Sequence, residues 1–452
     1  MTSATDTPED PMSPGSVSFG RASTAAGPAA RRPGAGNRPP GEGRGTAAGS
    51  RLRGLFPLLF VGLFLLGGCG GAEGGGGASG DDGLEAIPIG FIGPLSGGAA
   101  YYGRNVQRGV QMAADEIAEG GGFEVNGRQV RFEIVSVDDR YLPYETATAA
   151  RRLLQQREPP VILVPHAGGI RALQEINTEE PRFLLAAYSS EPSILEAENP
   201  LTVMLPPRFD AYQEPFVRVM MERFGDRLGL LPTTTAYGRA RTEQVTAEWE
   251  RQGGTVGEDH GVDYNTTTDF TGAVTRALAD DPDVLFIGGP SQPTALVIRA
   301  AREQGFEGGF LIMDQAKFME MLDIVPMEYL EGAIGVYPQE TYPTEGAPYF
   351  TERYYERFGE DAASPTSEIA INYQAIHLIA EAMSLAGTTD DPDAIRASMG
   401  EAARQLPDEL RIFNMEGVTE RGHLARSVFA AHVVDGEFEA VPIPRPSGAP
   451  LE

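Results

Sequence analysis

The residues best suited to recognition chemistry are two adjacent tyrosines, Tyr101 and Tyr102, followed by Gly103. Aromatic pairs of this kind grip small ligands by stacking and by donating from their hydroxyls. They follow an apolar run, Ile87, Ile89, Phe91 and Ile92, and a turn, Gly93-Pro94-Leu95-Ser96-Gly97-Gly98. The run has the pattern of a strand buried on both faces. The turn can continue neither strand nor helix. From Arg104 the apolar residues fall at Val106, Val110, Ala113, Ala114 and Ile117, which predicts a helix. The tyrosines therefore stand between turn and helix, at a strand's carboxyl end, where open α/β sheets bind ligands. The plainer role for either is to cover the helix start.

Reactive chemistry is harder to assemble. Cys69 is the sole cysteine, which excludes an internal disulfide and a cysteine-rich metal cluster. His166, His260, His377, His423 and His432 show no ligand spacing, so neither a metal nor a cofactor is expected. Ser189 and Ser190 have no candidate base nearby in sequence, and no nucleophile elbow or P-loop occurs. Gly75, Gly77 and Gly80 satisfy G-x-G-x-x-G, but no strand precedes them and no helix follows. An enzyme is not expected. The net charge is −28, and the first 68 residues hold seven arginines against four acids, so the rest of the chain carries −31. Such an acidic surface repels phosphate backbones, so nucleic acid is not an expected partner. Lys317 is the only lysine against 35 arginines. That reads as base composition, with no bearing on mechanism. His166 reads as structural, and Asp138-Asp139 as a loop clamp or helix cap.

The elements that must position these groups follow in two series. Residues 1–54 are rich in Pro, Gly, Ala, Ser and Arg and are expected to be disordered. Arg51 and Arg53 precede a twelve-residue apolar run, 55–66, too short to span a bilayer but right for the core of a secretory signal. It ends in Leu66-Gly67-Gly68-Cys69, which resembles a bacterial lipobox and implies a lipidated Cys69 over 55–69. Residues 70–85 read as a flexible tether. Strands are then predicted at 130–137, 161–164, 183–187 and 201–205, with helices at 145–157 and 170–176. The pattern restarts with helices at 212–224, 241–252, 270–279 and 295–304 and strands at 228–232, 284–288, 310–313 and 333–336. Strand and helix alternate throughout, which predicts parallel sheets with right-handed crossovers. The fold class is therefore α/β, in two doubly wound, Rossmann-like halves with a ligand cleft between them. Helices at 349–358, 368–385 and 392–404 follow, then closing strands around Arg411, Phe413, Val418 and 429–434, with a turn at Asp435-Gly436.

Gly93-Pro94-Leu95-Ser96-Gly97, Tyr102-Gly103, Gly109 and Asp115-Glu116-Ile117 together resemble the opening of type I periplasmic binding proteins. The branch is that of the leucine/isoleucine/valine-binding receptors of ABC transporters. Asp138-Asp139 with Pro143, the strand and turn at 161–169, Tyr237-Gly238, Gly288-Gly289, Asn372-Tyr373 and the hairpin 429–438 continue the match over residues 86–442. The resemblance implies two lobes, 86–206 with 341–426 and 207–340 with 427–443, and a loose tail at 444–452. It implies three hinge crossovers, near 205–208, 336–341 and 426–428. It places a ligand carboxylate at Gly168, Gly169, Tyr188, Ser189 and Ser190, where amides at a helix start and two hydroxyls suit an anion. It makes Tyr102 and Tyr237 aromatic covers, Tyr102 rather than Tyr101 because Tyr102-Gly103 is the matching pair. It puts an ammonium at Asp314 and another ligand contact at Ser291. Gly169 stands where serine is common, Pro290-Ser291 where an aromatic is common, and there is no disulfide. Arg140, Tyr141 and Arg208 fall near the implied cleft. The implied function is a monomeric, membrane-anchored solute-binding lipoprotein that hands an amino acid or related small carboxylate to an ABC permease. A ligand-sensing receptor subunit on the same fold is the alternative.

Overall fold

The computed structural model describes residues 83–179, 183–413 and 415–443. Cys69 and its signal segment, the tether up to residue 82 and the tail after 443 lie outside the described residues.

The first sheet is built from β1 (Glu85–Gly93), β2 (Phe123–Val125), β3 (Arg128–Asp138), β4 (Val161–Val164), β5 (Leu184–Ala187) and β6 (Thr202–Met204), in the order β2-β3-β1-β4-β5-β6. β1 pairs in parallel with β3 and β4, and the register runs on in parallel through β5 to β6. The reason lies in composition: β4 is VILV and β5 is LLAA, every residue buried. A strand without a polar face must be covered on both sides, which parallel crossovers achieve. The covering helices are α1 (Ala100–Glu119), α2 (Pro143–Arg157), α3 (Ala167–Glu179) and the single turn α4 (Ser193–Glu196). β2 is antiparallel to β3 and was not expected from the sequence. Its signal is Asn126-Gly127, both at positive φ, the two-residue turn that suits a hairpin.

The second sheet takes up the chain after α5 (Asp210–Phe224). Its elements are β7 (Arg227–Pro232), α6 (Ala236–Arg251), β8 (Thr255–Asp259), α7 (Thr271–Leu278), β9 (Val284–Gly288), α8 (Ser291–Glu303), β10 (Gly309–Ile312), the short α9 (Phe318–Leu322) and β11 (Ala333–Val336). The chain then returns to the first lobe with α10 (Gly346–Phe358), α11 (Ser367–Ala386), α12 (Pro392–Gln405), β12 (Met415–Val418) and β13 (Leu424–Arg426). It ends on the second sheet with β14 (Val428–Val434) and β15 (Glu437–Ile443), giving the order β15-β14-β11-β10-β9-β7-β8. β12 and β13 form a two-stranded ribbon, and Met204 donates its amide to Gly422 O beside it, 2.8 Å. Three segments thus link the lobes: between β6 and α5, between β11 and α10, and at Ser427 between β13 and β14.

α11 is buried on nearly every side, from Ser367 to Met383, and packs along α1 as the core helix of the first lobe. Each large apolar side chain so buried contributes roughly 1.5–3 kcal/mol.

Several helices begin a turn earlier than apolar periodicity indicated. α1 starts at Ala100, α3 at Ala167, α6 at Ala236 and α8 at Ser291. Tyr102, Gly168, Gly169, Tyr237 and Ser291 therefore sit in first helical turns and not in the loops before them. The cause is common to all four. These first turns hold Gly, Ala, Tyr, Ser, Gln and Pro, which make no apolar stripe for periodicity to detect. Arg411 and Phe413, expected on a closing strand, precede β12.

Candidate functional site: the cleft between the lobes

The cleft forms where the carboxyl ends of β1, β4 and β5 face those of β7 and β10. Each lobe presents a tyrosine from the first turn of a crossover helix, followed by glycine. A Cβ on Gly103 would lie 1.8 Å from Pro94 O, and one on Gly238 1.8 Å from Thr233 O. Neither contact tolerates a side chain, so glycine lets each helix start settle on the loop before it. Thr235 caps α6 by accepting from Gly238 N at 3.1 Å. Tyr102 donates to Pro165 O at 2.7 Å and stacks on Tyr188, ring centroids 6.3 Å apart. Tyr237 donates to Asp314 Oδ1 at 2.7 Å. Burial, first among the causes, holds the hydroxyls of Tyr102, Tyr188 and Tyr237 well above the usual phenol range, so all three act as neutral donors.

These residues surround a central chamber. Tyr102, Tyr141, Pro165, His166, Tyr188, Ser189, Ser190 and Pro206 line it from one side, and Tyr237, Asp314, Gln315 and Lys317 from the other. Ser190 Oγ is buried and has no hydrogen-bond partner among the described residues. Gly168 lies in the outer mouth with Arg140, Thr234, Arg239 and Asp263. Gly169 turns away from the cleft. Its amide donates to His166 Nδ1 at 3.0 Å, and a Cβ there would meet the His166 ring at 2.7 Å. His166 Nε2 in turn faces Asp139 Oδ2 at 2.7 Å, so the ring is held as a strut while its face, stacked on Tyr141, lines the chamber. Ser291 also lies behind the wall, where its Oγ accepts from Lys317 N at 2.9 Å. Arg208 pairs with Asp210.

Asp314 is the predicted ammonium partner, yet its charge is already engaged. Besides Tyr237, the fully buried Arg241 reaches it at 3.7 Å. Lys317, set aside in the sequence as compositional, proves to line the cleft and is only 6% exposed. Its ammonium donates to Asp314 O and Gln315 O and pairs with the buried Glu368 at 3.1 Å, though not in hydrogen-bond alignment. Glu320 lies nearby. Burial first, and Glu368 second, push its carboxyl up to about 8.

Four of these contacts bridge the lobes. Lys317 meets Glu368, Asn105 donates to Glu320, Gln315 donates to the Tyr141 hydroxyl at 3.4 Å, and Gly98 N donates to Asn265 O at 3.1 Å. The structure is thus a closed state. Among the described residues no group of three or more His, Cys, Asp or Glu is placed to hold a metal ion. The arrangement is suited to enclosing a small polar molecule.

Residues 86–437 match the family model described as periplasmic binding protein. The chain belongs to this family. A leucine-, isoleucine-, valine-, threonine- and alanine-binding protein of Pseudomonas aeruginosa is 23% identical over 353 residues, covering 77% of this chain and 90% of that one. The leucine-binding protein LivK of Thermotoga maritima superposes with a TM-score of 0.65 at 24% identity, over 79% of this chain and 98% of that one. A solute-binding protein of an ABC transporter from Rhodopseudomonas palustris BisB5, solved with 3,4-dihydroxybenzoic acid, gives 0.65 at 18% identity, over 81% and 97%. The fold of this binding protein is that of the type I periplasmic group, and its relatives are binding proteins rather than enzymes. It is a periplasmic solute-binding protein of the ABC-transporter kind, at work outside the cytoplasm.

Proposed function

We propose that the protein is a lipid-anchored, monomeric receptor that captures an amino acid or related small carboxylate and delivers it to an ABC permease. The observation that carries this is the closed chamber itself, with Tyr102 and Tyr237 facing each other from equivalent helix starts and Ser190 Oγ buried without a partner. An unsatisfied buried hydroxyl costs about 1–3 kcal/mol, which a ligand oxygen at this point would recover. Ser189 and Ser190 hold a carboxyl group, with the Gly168 amide at the start of α3 toward the mouth. Tyr102, Tyr188 and Tyr237 cover the body of the ligand. The named ligands of the relatives are aliphatic amino acids and an aromatic acid, and all carry a carboxyl group. Cys69 supplies the membrane anchor.

The test is mass spectrometry of what co-purifies, followed by thermal shift across amino acids, carboxylates and amides. Ligand at a hundred times its Kd adds about 2.7 kcal/mol of stability. No retained molecule and no shift across the whole panel would sink the reading. Cys69→Ser is expected to release the protein from the membrane fraction.

A further inference from the structure

Beyond the central chamber lies a second pocket, reaching toward the hinge segments. The two share Tyr188, Pro206, Asp314 and Lys317, so these side chains are the boundary between them. The inner walls are aromatic: Tyr212, Tyr337, Tyr342, Phe413 and Phe429. Two hydroxyls there, on Tyr188 and Tyr212, carry no hydrogen bond among the described residues, and burial keeps both protonated.

Arg426 stands behind these rings. It is 2% exposed, and its guanidinium lies over Phe413, 5.5 Å from the ring centroid. One nitrogen donates to Leu205 O at 2.7 Å, while Nε and Nη1 are buried with no partner. Burial first weakens its hold on the proton, the Tyr342, Tyr212 and Tyr188 phenols lie around its charge, and no ion pair to it forms among the described residues. A guanidinium keeps its proton in a protein, and an unpaired buried charge is costly. The neighbouring acids are already held: Asp314 by Tyr237 and Arg241, Glu368 by Lys317, Asp210 by Arg208, and Asp139 by Tyr141 N, Thr146 and His166. The hinge end of the cleft therefore has two phenol hydroxyls and, behind its rings, an unpaired cation, with the paired Asp314 at its boundary. On the other side Asp314 is paired, while the buried Glu368 oxygens make no hydrogen bond and have only the Lys317 ammonium, 3.1 Å away, as their cation.

Resting on the solute-binding reading above, we propose that the inner chamber is a second anion subsite and that the ligand is a linear dicarboxylate without an α-ammonium group. One carboxylate meets Ser189 and Ser190. The other enters the inner chamber, accepts from the Tyr188 and Tyr212 hydroxyls, and balances Arg426.

Calorimetric titration of the ligand-stripped protein decides this. The probes are glutarate, adipate and pimelate against pentanoate, hexanoate and heptanoate, with 2-aminoadipate and leucine beside them. At least one dicarboxylate is expected to bind tenfold or more tighter than the monocarboxylate of its length, and adipate tenfold tighter than 2-aminoadipate. Arg426→Met should reduce the dicarboxylate preference to under threefold. If that variant does not fold, the Tyr188→Phe/Tyr212→Phe double variant, which removes only hydroxyls, should reduce it at least threefold. Monocarboxylates or leucine binding as tightly as the dicarboxylates would overturn the proposal, as would a preference unchanged in the variants. Failure of every probe overturns it too. The broader solute-binding reading is separate, and is lost only if mass spectrometry and the wide panel also find nothing.

Discussion

The first-lobe wall and the second-lobe wall of the cleft share a backbone design. Each begins with a Tyr-Gly pair in the first turn of a crossover helix, and each glycine rests against a loop carbonyl at a distance no side chain permits. Their chemistry differs. The first wall is neutral: Tyr188, Ser189 and Ser190 offer hydroxyls, and Tyr102, whose proton goes to Pro165 O, offers its ring. The second carries its charges in buried pairs, Asp314 with Arg241 and Lys317 with Glu368 across the gap. Repetition of the α/β unit supplies the shape of the cleft twice, while the loops after β5 and β10 decide what each half attracts.

The largest effect should come from the charged wall. Lys317→Met leaves Glu368 buried without its cation, and breaking such a pair costs about 3–5 kcal/mol. Urea denaturation at pH 7 measures it, and a loss under about 1 kcal/mol would show that the pair is idle.

Glu320 gives that wall a pH response. Its carboxyl is pushed up to about 8 in the folded protein, by burial first and by Glu368 second, from the ordinary value of 4.5. The folded state therefore holds a proton that the unfolded state releases. The contribution is complete below about 4.5 and is lost as pH rises toward 8, by up to about 1.4 kcal/mol per unit. Glu320→Gln should flatten the melting temperature between pH 5 and 8; an unchanged slope would remove Glu320 as its source.

The shared design predicts symmetry where the chemistry predicts difference. Gly103→Ala and Gly238→Ala should each cost about 1–3 kcal/mol through overpacking. Differential scanning calorimetry that finds one costly and the other neutral would break the equivalence of the two helix starts.

The smallest expected effect separates the tyrosines. Tyr237→Phe strips a donor from Asp314, and Tyr102→Phe strips one from a backbone carbonyl, each worth about 1 kcal/mol. Only Tyr237→Phe should alter selectivity between acids and amides. Equal changes in selectivity from both would mean that the walls are not chemically distinct.

Much of this was legible in the sequence. The strands at 161–164, 284–288 and 333–336 have the bounds that apolar runs predicted, because strands covered on both faces leave little ambiguity. Tyr102, Tyr188, Ser189, Ser190, Tyr237 and Asp314 all reach the central chamber, since strand ends and helix starts mark the cleft of any doubly wound sheet. Gly169 and Ser291 do not, because their hydrogen bonds to His166 and Lys317 turn them behind the wall. Residues brought in by distant chain were missed. Arg426 arrives on β13 after the second crossing, and Tyr212 from α5 after the first. No local pattern marks either. Lys317 did leave a trace, its singularity, but rarity has a genomic explanation until coordinates put the residue in the cleft.

The bond between Gly98 and Asn265 joins the rims of the two lobes through main chain alone. A Cβ on Gly98 would lie 2.1 Å from Asn265 O, so the rims meet only because that position is bare. A clasp of this kind uses no side chain, so it holds the lobes together without taking part in what the chamber lining recognises. Any larger residue at position 98 would have to push the rims apart before the lobes could meet as they do here.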